Sequence, residues 1–192
     1  NSSVTPHQAA DISVLDHTYC IIMAGGRGER FWPLNTHNMP KPFLKILGAK
    51  TMIQLTVERV AKLVPLDHIY IVLGKSHVDI ARDQLPDLPL NNFLVEPEGR
   101  DTAPCIGFAA ISLLEIDPQA IMIVLPADHF IPDTESFHKT VLYGTDIASK
   151  GDYLVTIGIK PDRPETGYGY IKAGEIIFSS NHQACYAVTK FV

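Results

Sequence analysis

The chain has little cysteine, no long hydrophobic run and only a small excess of one charge sign. Three cysteines in apolar surroundings, Cys20, Cys105 and Cys185, predict buried thiols in a reducing, cytoplasmic compartment and exclude a disulfide framework. No apolar stretch reaches the length of a membrane span, so no membrane partner is expected. The net charge of -5 argues against a general nucleic-acid binder, and any anion site must therefore be local.

The bulk composition is that of one globular domain. The chain has 192 residues, of which 46% are hydrophobic, enough for a sizeable core. Residues 1–18 are mostly polar and lack the basic start and apolar core of a signal peptide, so we expect a polar N-terminal arm. We expect residues 19–192 to form the domain, which stops inside a strand-like run at Phe191-Val192.

Apolar, β-branched runs alternate with amphipathic stretches along the chain. The predicted strands are 19–24, 68–73, 92–95, 120–125 and 153–159. The predicted helices are 51–64, 76–85, 102–116 and 134–149. This alternation predicts an α/β fold with a Rossmann-like, mostly parallel sheet and helices on both faces. After residue 160 shorter, partly exposed strands predict a small β excursion.

The first predicted strand runs into a glycine-rich segment, AGGRGERFWPL at 24–34, followed by PKPFL at 40–44. Glycines let backbone N–H groups approach a ligand closely, and cationic side chains add local positive charge. The candidate contacts are Ala24, Gly25, Gly26, Arg27, Gly28, Arg30 and Lys41. A polyphosphate is the natural ligand for such a segment.

Two common phosphate motifs do not fit this segment. A P-loop would end in Gly-Lys-Ser or Gly-Lys-Thr, and a dinucleotide fingerprint would place a third glycine where Phe31 stands. The plainer alternative, a glycine-rich turn with solvated cations, stays open at this point.

Three further loops follow predicted strands: 96–104, 126–129 and 160–170. In open α/β sheets ligands bind beyond the carboxyl ends of the strands, where these loops lie. We therefore expect the four loops to form one site.

The second and third of these loops carry candidate nucleotide and metal contacts. Asp128, at a strand end facing the glycine-rich loop, is suited to hold Mg²⁺, with capping of the next turn as the alternative. Glu96 and Gly99 are suited to a nucleobase edge, although Glu96 also fits a solvated loop acid. Asp101 and Thr102 are more typical of helix caps, and Thr102 is retained as a nucleotide-contact candidate.

The last loop carries candidate sugar contacts. Glu165 can accept hydrogen bonds from sugar hydroxyls and Tyr168 can pack on a sugar ring. Gly167 and Gly169 allow close backbone approach. A glycine-containing hairpin with surface tyrosines is the alternative.

Together these segments resemble the mannose-1-phosphate guanylyltransferases. The matching stretches are 24–34 with 40–44, 96–104, 125–129 and 158–171, and the resemblance covers roughly residues 19–192. Glu29 stands where the wider superfamily often has threonine, and Asp101 where asparagine is frequent.

The resemblance implies synthesis of GDP-mannose from GTP and mannose 1-phosphate, whose phosphate oxygen attacks the α-phosphorus of GTP. Arg30 would stabilise the leaving phosphates, Lys41 would contact the transferred or attacking phosphate, and Mg²⁺ on Asp128 would bridge the reacting phosphates. These three residues form the expected catalytic set. A homodimer is left open.

Other functions remain open at this point. The chain is also compatible with a nucleotidyltransferase for another base or sugar, and with a non-catalytic nucleotide-binding module.

The family pattern continues into a Glu-Lys-Pro segment, a second metal-binding aspartate and a C-terminal domain. The resemblance therefore implies a chain truncated at its C-terminus.

Overall fold

The computed structural model describes residues 12–25, 39–180 and 183–192. The chain divides into two compact units, residues 1–134 and 135–192, and each is described by itself. Within the expected N-terminal arm, the described part forms a short helix, α1, at Ile12–Asp16.

The first unit alternates strands and helices largely as predicted. Its strands are β1 Thr18–Met23, β2 Ile69–Gly74, β3 Phe93–Glu96 and β4 Ile121–Pro126. Its helices after α1 are α2 Met52–Val60, α3 Val78–Gln84 and α4 Thr102–Leu114. The predicted strands that begin at 19, 68, 92 and 120 are confirmed, and the helices are shorter than predicted.

In the part of the chain that the structure describes, β1 to β4 form a parallel sheet in the order β3-β2-β1-β4. The register places Ile21 of β1 opposite Tyr70 of β2 on one side and Val124 of β4 on the other. All four strands point the same way, so their carboxyl ends meet at one edge, and the predicted parallel α/β fold is confirmed.

The core of the first unit is centred on β1. Tyr19 and Ile21 pack on one face against a stripe of α4 formed by Cys105, Ala109 and Leu113. These helix residues are four apart and therefore share one side of the helix. Successive strand residues point to opposite faces, and Cys20 and Ile22 are also fully buried. Both faces of β1 are therefore covered.

The second unit contains helix α5, Thr134–Ala148, and a pair of antiparallel strands. The strands are β5 Ile171–Ser180 and β6 Gln183–Phe191, with register shifts along the pair. They confirm the predicted β excursion after residue 160.

The predicted strand at 153–159 is wrong. The structure assigns no strand there, and Leu154 and Ile159 are 102% and 87% exposed. An apolar, β-branched run satisfies the sequence criterion for a strand, but a strand also needs a hydrogen-bonded neighbour. This segment has no ladder partner among the described residues.

All three cysteines are free thiols, as predicted. Burial raises the pKa of Cys20 to about 12 and, with the nearby charge of Glu96, that of Cys105 to about 11. Cys185 is only half-buried, so its predicted burial is wrong, because β6 leaves one of its sides open. Within the described ranges, no helix is long and apolar enough to cross a membrane.

Candidate functional site

A cavity of about 830 Å³ lies at the edge of the first unit where the parallel strands end. The last residue of each strand lines the cavity: Met23 of β1, Gly74 of β2, Glu96 of β3 and Pro126 of β4. Residues that follow the strands complete the lining: Gly25, His77, Glu98, Gly99, Arg100, Asp101, Thr102 and Asp128. Three of the four loops predicted to form a site are therefore brought together.

A cation and a carboxylate face each other in this cavity. The Nζ atom of Lys41 donates to Oδ2 of Asp128 over 2.9 Å, and the two side chains are 21% and 36% exposed. Partial burial makes this charge pair stronger than one on the open surface, yet both groups remain accessible to a ligand. An anion arriving here meets Lys41, and a cation meets Asp128.

The local sequence explains how Lys41 reaches the cavity. Residues Lys41–Phe43 form a single 3-10 turn, and Phe43 N–H donates to the carbonyl of Pro40 over 3.0 Å. Phe43 is 2% exposed and anchors the turn in the core. Pro42 needs no N–H partner in a turn of this kind, and the polar end of the turn is left facing the cavity.

Glu96, the last residue of β3, is buried against the start of the glycine-rich segment. Glu96 is only 8% exposed, and this burial raises the pKa of its carboxyl above the ordinary value of 4.5. A side chain at Gly25 would bring Cβ within 3.0 Å of Glu96 Oε2. A residue larger than glycine at position 25 would therefore crowd this carboxylate and make the Glu96 side chain shift.

The loop between β3 and α4 contains an unusual backbone conformation. Asp101, directly before α4, has φ 62° and ψ -168°, a region that is essentially restricted to glycine. Asp101 takes the predicted cap position of α4, but its side chain makes no cap hydrogen bond. Gly99 and Thr102 are exposed and line the cavity.

The exposed part of this loop also carries a charge pair. Arg100 donates through Nε and Nη2 to Oε2 of Glu98, over 3.0 and 2.7 Å. Both side chains are about 70% exposed, so water screens the pair and it contributes little to stability. Arg100 and Glu98 also border a smaller neighbouring cavity of about 440 Å³.

Part of the predicted phosphate-binding segment lies outside the described residues: Gly26, Arg27, Gly28 and Arg30. Of its described members, Ala24 is fully buried and its N–H donates to the carbonyl of Val72 over 2.8 Å. Gly25 is exposed and lines the cavity.

The predicted sugar-contact residues belong to the second unit. Glu165 Oε1 accepts from the N–H of Gly167 over 3.1 Å, and Tyr168 is 75% exposed. The hydroxyl of Tyr170 donates to the carbonyl of Glu165 and accepts from its N–H, which ties the turn together. A Cβ at Gly169 would come no nearer than 3.9 Å to another atom, so this glycine is not required by crowding. The strand predicted before this loop is absent from the described residues.

Sequence reasoning missed the contribution of β2. Gly74 and His77 line the cavity because β2 is a neighbour of both β1 and β3 in the sheet. The signal was present, since Gly74 directly follows the predicted parallel strand 68–73 and His77 lies three residues further on, at the carboxyl end that belongs to the same edge.

Among the described residues, Asp128 is one of four carboxylates that line the cavity, with Glu96, Glu98 and Asp101, and it is the one paired with Lys41. In the part of the chain that is described, no group of three or more His, Cys, Asp or Glu side chains could hold a metal ion. A fully protein-built metal cage is thus not present there. Mg²⁺ commonly takes one or two carboxylates, with phosphate oxygens and water as its other ligands, and an accessible carboxylate such as that of Asp128 in this cavity fits that pattern.

Comparisons with known proteins agree with this architecture. The sequence profile of the nucleotidyl transferase family matches residues 19–192. The chain is 42% identical to the mannose-1-phosphate guanylyltransferase of Salmonella montevideo and 39% identical to that of Escherichia coli K12, over 90% and 91% of its length. A crystal structure from Thermus thermophilus, described as a mannose-1-phosphate geranyltransferase, superposes with a TM-score of 0.79. It is 37% identical and covers 92% of this chain.

The chain is shorter than these relatives. It spans 36% and 37% of the two curated relatives and 50% of the Thermus chain.

Proposed function

Because the chain belongs to the nucleotidyl transferase family, we propose that it transfers a guanylyl group from GTP to mannose 1-phosphate, giving GDP-mannose and pyrophosphate. The observation that carries this proposal is the Lys41–Asp128 pair, an accessible cation and carboxylate 2.9 Å apart in a cavity at the edge of a parallel sheet. The relatives named mannose-1-phosphate guanylyltransferase support the choice of nucleotide and sugar.

The reaction needs no nucleophile from the protein. An oxygen of the sugar phosphate forms a bond to the α-phosphorus of GTP, and the bond from that phosphorus to the β-phosphate oxygen breaks as pyrophosphate leaves. The protein has to hold two anions together and neutralise their charge. Lys41 is assigned the phosphate that is transferred or attacks, and Arg30 and Arg27 the leaving phosphates.

Asp128 is the proposed ligand of Mg²⁺, together with phosphate oxygens of the bound nucleotide. When bound, Mg²⁺ neutralises negative charge on the triphosphate. In the chain by itself Lys41 neutralises the Asp128 carboxylate. A bound nucleotide would offer Lys41 a phosphate instead, and an oxygen of Asp128 would then be available to hold the cation.

Glu96 is the proposed reader of the guanine base. The Watson–Crick edge of guanine presents an N1–H and an exocyclic amine, two donors that a carboxylate can accept from side by side. Glu96 is buried at the cavity wall, where such bonds are strengthened by the low local polarity. Gly99 and Thr102 are assigned to the same nucleotide, with the backbone of Ala24, Gly25, Gly26 and Gly28 at its phosphates.

The sugar is assigned to the loop of the second unit. Glu165 and Tyr168 are the proposed contacts to the hydroxyls and the ring face, with Gly167 and Gly169 supplying backbone approach. The exposed ring of Tyr168 supports this assignment. The free thiols of the chain support a reducing, cytoplasmic setting for the reaction.

A second candidate is a nucleotide-binding module without turnover. The observation that favours it is the cavity at the strand ends, which by itself suffices to bind a nucleotide. Such a module would bind GTP at the same cavity and release no pyrophosphate.

Pyrophosphate release separates the two functions. The chain is incubated with Mg²⁺, mannose 1-phosphate and GTP, ATP, UTP or dTTP in turn, with Asp128→Asn as the matched control, and GTP binding is measured by calorimetry in parallel. Release from GTP that requires the sugar phosphate and is lost in Asp128→Asn supports the transferase. GTP binding without release supports the module, and preference for another nucleotide contradicts the guanylyl assignment.

A further inference from the structure

We propose that helix α2 fixes the distance between Lys41 and Asp128, and that Thr56 and Arg59 are positioning residues for the loop that carries Asp128. This inference rests on the proposed function, because it assigns α2 a part in building that same site. Neither residue lines the cavity, and both bond to backbone carbonyls next to Asp128 in the chain, not to its carboxylate.

The central and C-terminal turns of α2 hold the Asp128 loop on both sides. Thr56 Oγ1 donates to the carbonyl of Ala127 over 3.3 Å, and Arg59 Nη2 donates to the carbonyl of His129 over 3.1 Å. These two carbonyls flank Asp128 in the chain. The N–H of Ala127 in turn donates to the carbonyl of Met23 over 3.0 Å, which continues the β1–β4 pairing. The Asp128 backbone is thus bound to the sheet and to the helix.

The N-terminal turn of α2 holds the Lys41 turn. The N–H of Met52 donates to the carbonyl of Leu44 over 3.2 Å. A relay of two glutamines adds a second link: Gln54 donates to the carbonyl of Gln84 over 2.9 Å, and Gln84 donates to the carbonyl of Phe43 over 3.2 Å. One rigid helix therefore connects the backbone next to Lys41 with the backbone on either side of Asp128.

Arg59 occupies a place where a charged residue is costly. It is only 8% exposed, and burial lowers the pKa of its guanidinium below the ordinary value. Taking a guanidinium out of water is unfavourable unless hydrogen bonds offset the lost hydration. An apolar side chain such as methionine would fill a helix position at less cost. The bond to the His129 carbonyl offsets part of this cost and links Arg59 to the loop that carries Asp128.

These hydrogen bonds from α2 orient the Asp128 carboxylate. The peptide groups on both of its sides are held, so the side chain starts from a fixed backbone and has few rotamers that reach Lys41 or a cation. Groups that orient a metal ligand without touching the metal typically change metal affinity by about 10–100-fold when removed. Loss of either α2 contact is therefore expected to weaken cation binding more than nucleotide binding.

Binding of Mn²⁺, followed by its electron paramagnetic resonance signal in the presence of GTP, tests this inference without reference to turnover. Arg59→Met and Thr56→Val remove the two donors at nearly constant volume. Each is expected to raise the Mn²⁺ dissociation constant, by on the order of tenfold for Arg59→Met, while the affinity for GTP without metal changes less than about twofold. Arg59→Lys and Thr56→Ser, which keep a donor, are expected to recover part of the loss.

Val57→Ala is the matched control on the same helix. Val57 is 7% exposed and lies between the two donors in sequence, so its truncation loosens packing without removing a bond to the loop. Unchanged Mn²⁺ affinity in Val57→Ala together with a loss in Arg59→Met supports positioning. Equal losses in both variants, or wild-type affinity in both Arg59→Met and Thr56→Val, overturn it.

Two further outcomes keep the test decisive. If Arg59→Met fails to fold, the comparison of Thr56→Val with Thr56→Ser decides the question in the same terms. If the wild-type chain binds neither GTP nor Mn²⁺ with GTP, the proposed function fails first, which is distinguishable from intact binding that is insensitive to α2.

Discussion

The Nζ atom of Lys41 lies 2.9 Å from Oδ2 of Asp128, although 87 residues separate them in the chain. The pair joins a 3-10 turn before α2 to the loop after β4. Its partners are one cation and one carboxylate, which are the groups that a phosphate and a divalent metal ion bind respectively. We interpret this pair as the arrangement that the two proposed catalytic residues adopt before a nucleotide binds.

If so, the pair matters more for turnover than for stability. Lys41→Met and Asp128→Asn are each expected to lower guanylyl transfer by about a hundredfold or more, the typical effect of losing a charge in such a site. Each should cost less than about 1 kcal/mol of unfolding free energy, because water still reaches both side chains and screens them. Urea unfolding and pyrophosphate release measured on the same preparations check both values.

The Lys50–Glu58 pair provides a matched control for the Lys41 variants. Its side chains are 53% and 51% exposed, and neither residue lines the cavity. Lys50→Met should leave transfer within about twofold of the wild-type rate, as expected for a solvated pair. A loss as large as that of Lys41→Met would show that the effect is a general one of charge or folding.

Burial of Glu96 predicts a pH-dependent stability. Burial raises the pKa of its carboxyl above the ordinary 4.5, so between 4.5 and that raised value the folded chain binds this proton more tightly than the unfolded chain does. Stability therefore falls as pH rises through this window, and at neutral pH the ionised carboxylate is destabilising. Glu96→Gln should raise the Tm at pH 7, and its advantage should vanish near pH 4.

The control for this pH profile is Glu98→Gln. Glu98 has a 69% exposed side chain only two residues away, so its neutralisation should not create a comparable pH-dependent difference. Thermal unfolding of the three chains from pH 4 to pH 8 makes the comparison. A Glu96→Gln chain that is no more stable at pH 7 than at pH 4, relative to wild type, would contradict the assignment of a buried, ionised Glu96.

The same residue predicts a base preference. Inosine triphosphate lacks the exocyclic amine of guanine, so the wild-type chain should bind it more weakly than GTP, by about 1–3 kcal/mol if a buried carboxylate loses one bond. Glu96→Gln should narrow this difference, because an amide presents one acceptor and one donor where the carboxylate presents two acceptors. Calorimetric titration of both nucleotides into both chains measures it. An unchanged preference would remove Glu96 from base recognition.

The backbone at Asp101 predicts a substitution that stabilises. A non-glycine residue in its conformation stores about 1–3 kcal/mol of strain, and the aspartate side chain makes no cap bond that would be lost. Asp101→Gly should raise the unfolding free energy by about 1 kcal/mol, after the larger chain entropy of unfolded glycine is subtracted. Asp101→Ala, which keeps a Cβ, should give no such gain. Equal effects of glycine and alanine would contradict strain as the cause.

These residues show what the sequence could and could not predict. The strand that became β1 was predictable because it is buried on both faces and therefore apolar throughout. The place of Asp128 was predictable as well, because it follows a strand whose carboxyl end lies at the common edge of the parallel sheet. The segment 153–159 is similarly apolar but has no neighbouring strand among the described residues, and pairing is a property of the tertiary structure that composition does not encode.

The long-range hydrogen bonds that support the site could not be predicted from the sequence for the same reason. Arg59 and Thr56 contact the Asp128 loop across 70 and 71 residues. In sequence, Arg59 reads as an ordinary charge near the end of an amphipathic helix, and Thr56 as one polar residue among apolar ones. Their role depends on how α2 packs near the end of β4. Likewise, the burial of Glu96 could not be distinguished from a solvated loop acid until the fold was known.

The most direct test of the central claim follows the phosphorus atoms of GTP. The chain is supplied with Mg²⁺, mannose 1-phosphate and GTP labelled with ³²P at either the α or the γ position, and the products are separated by chromatography. We predict that the α label appears in GDP-mannose and the γ label in pyrophosphate, with both signals lost in Asp128→Asn. Transfer of the γ label to the sugar, or conversion of GTP to GDP and phosphate with no labelled GDP-mannose, would contradict guanylyl transfer at this site.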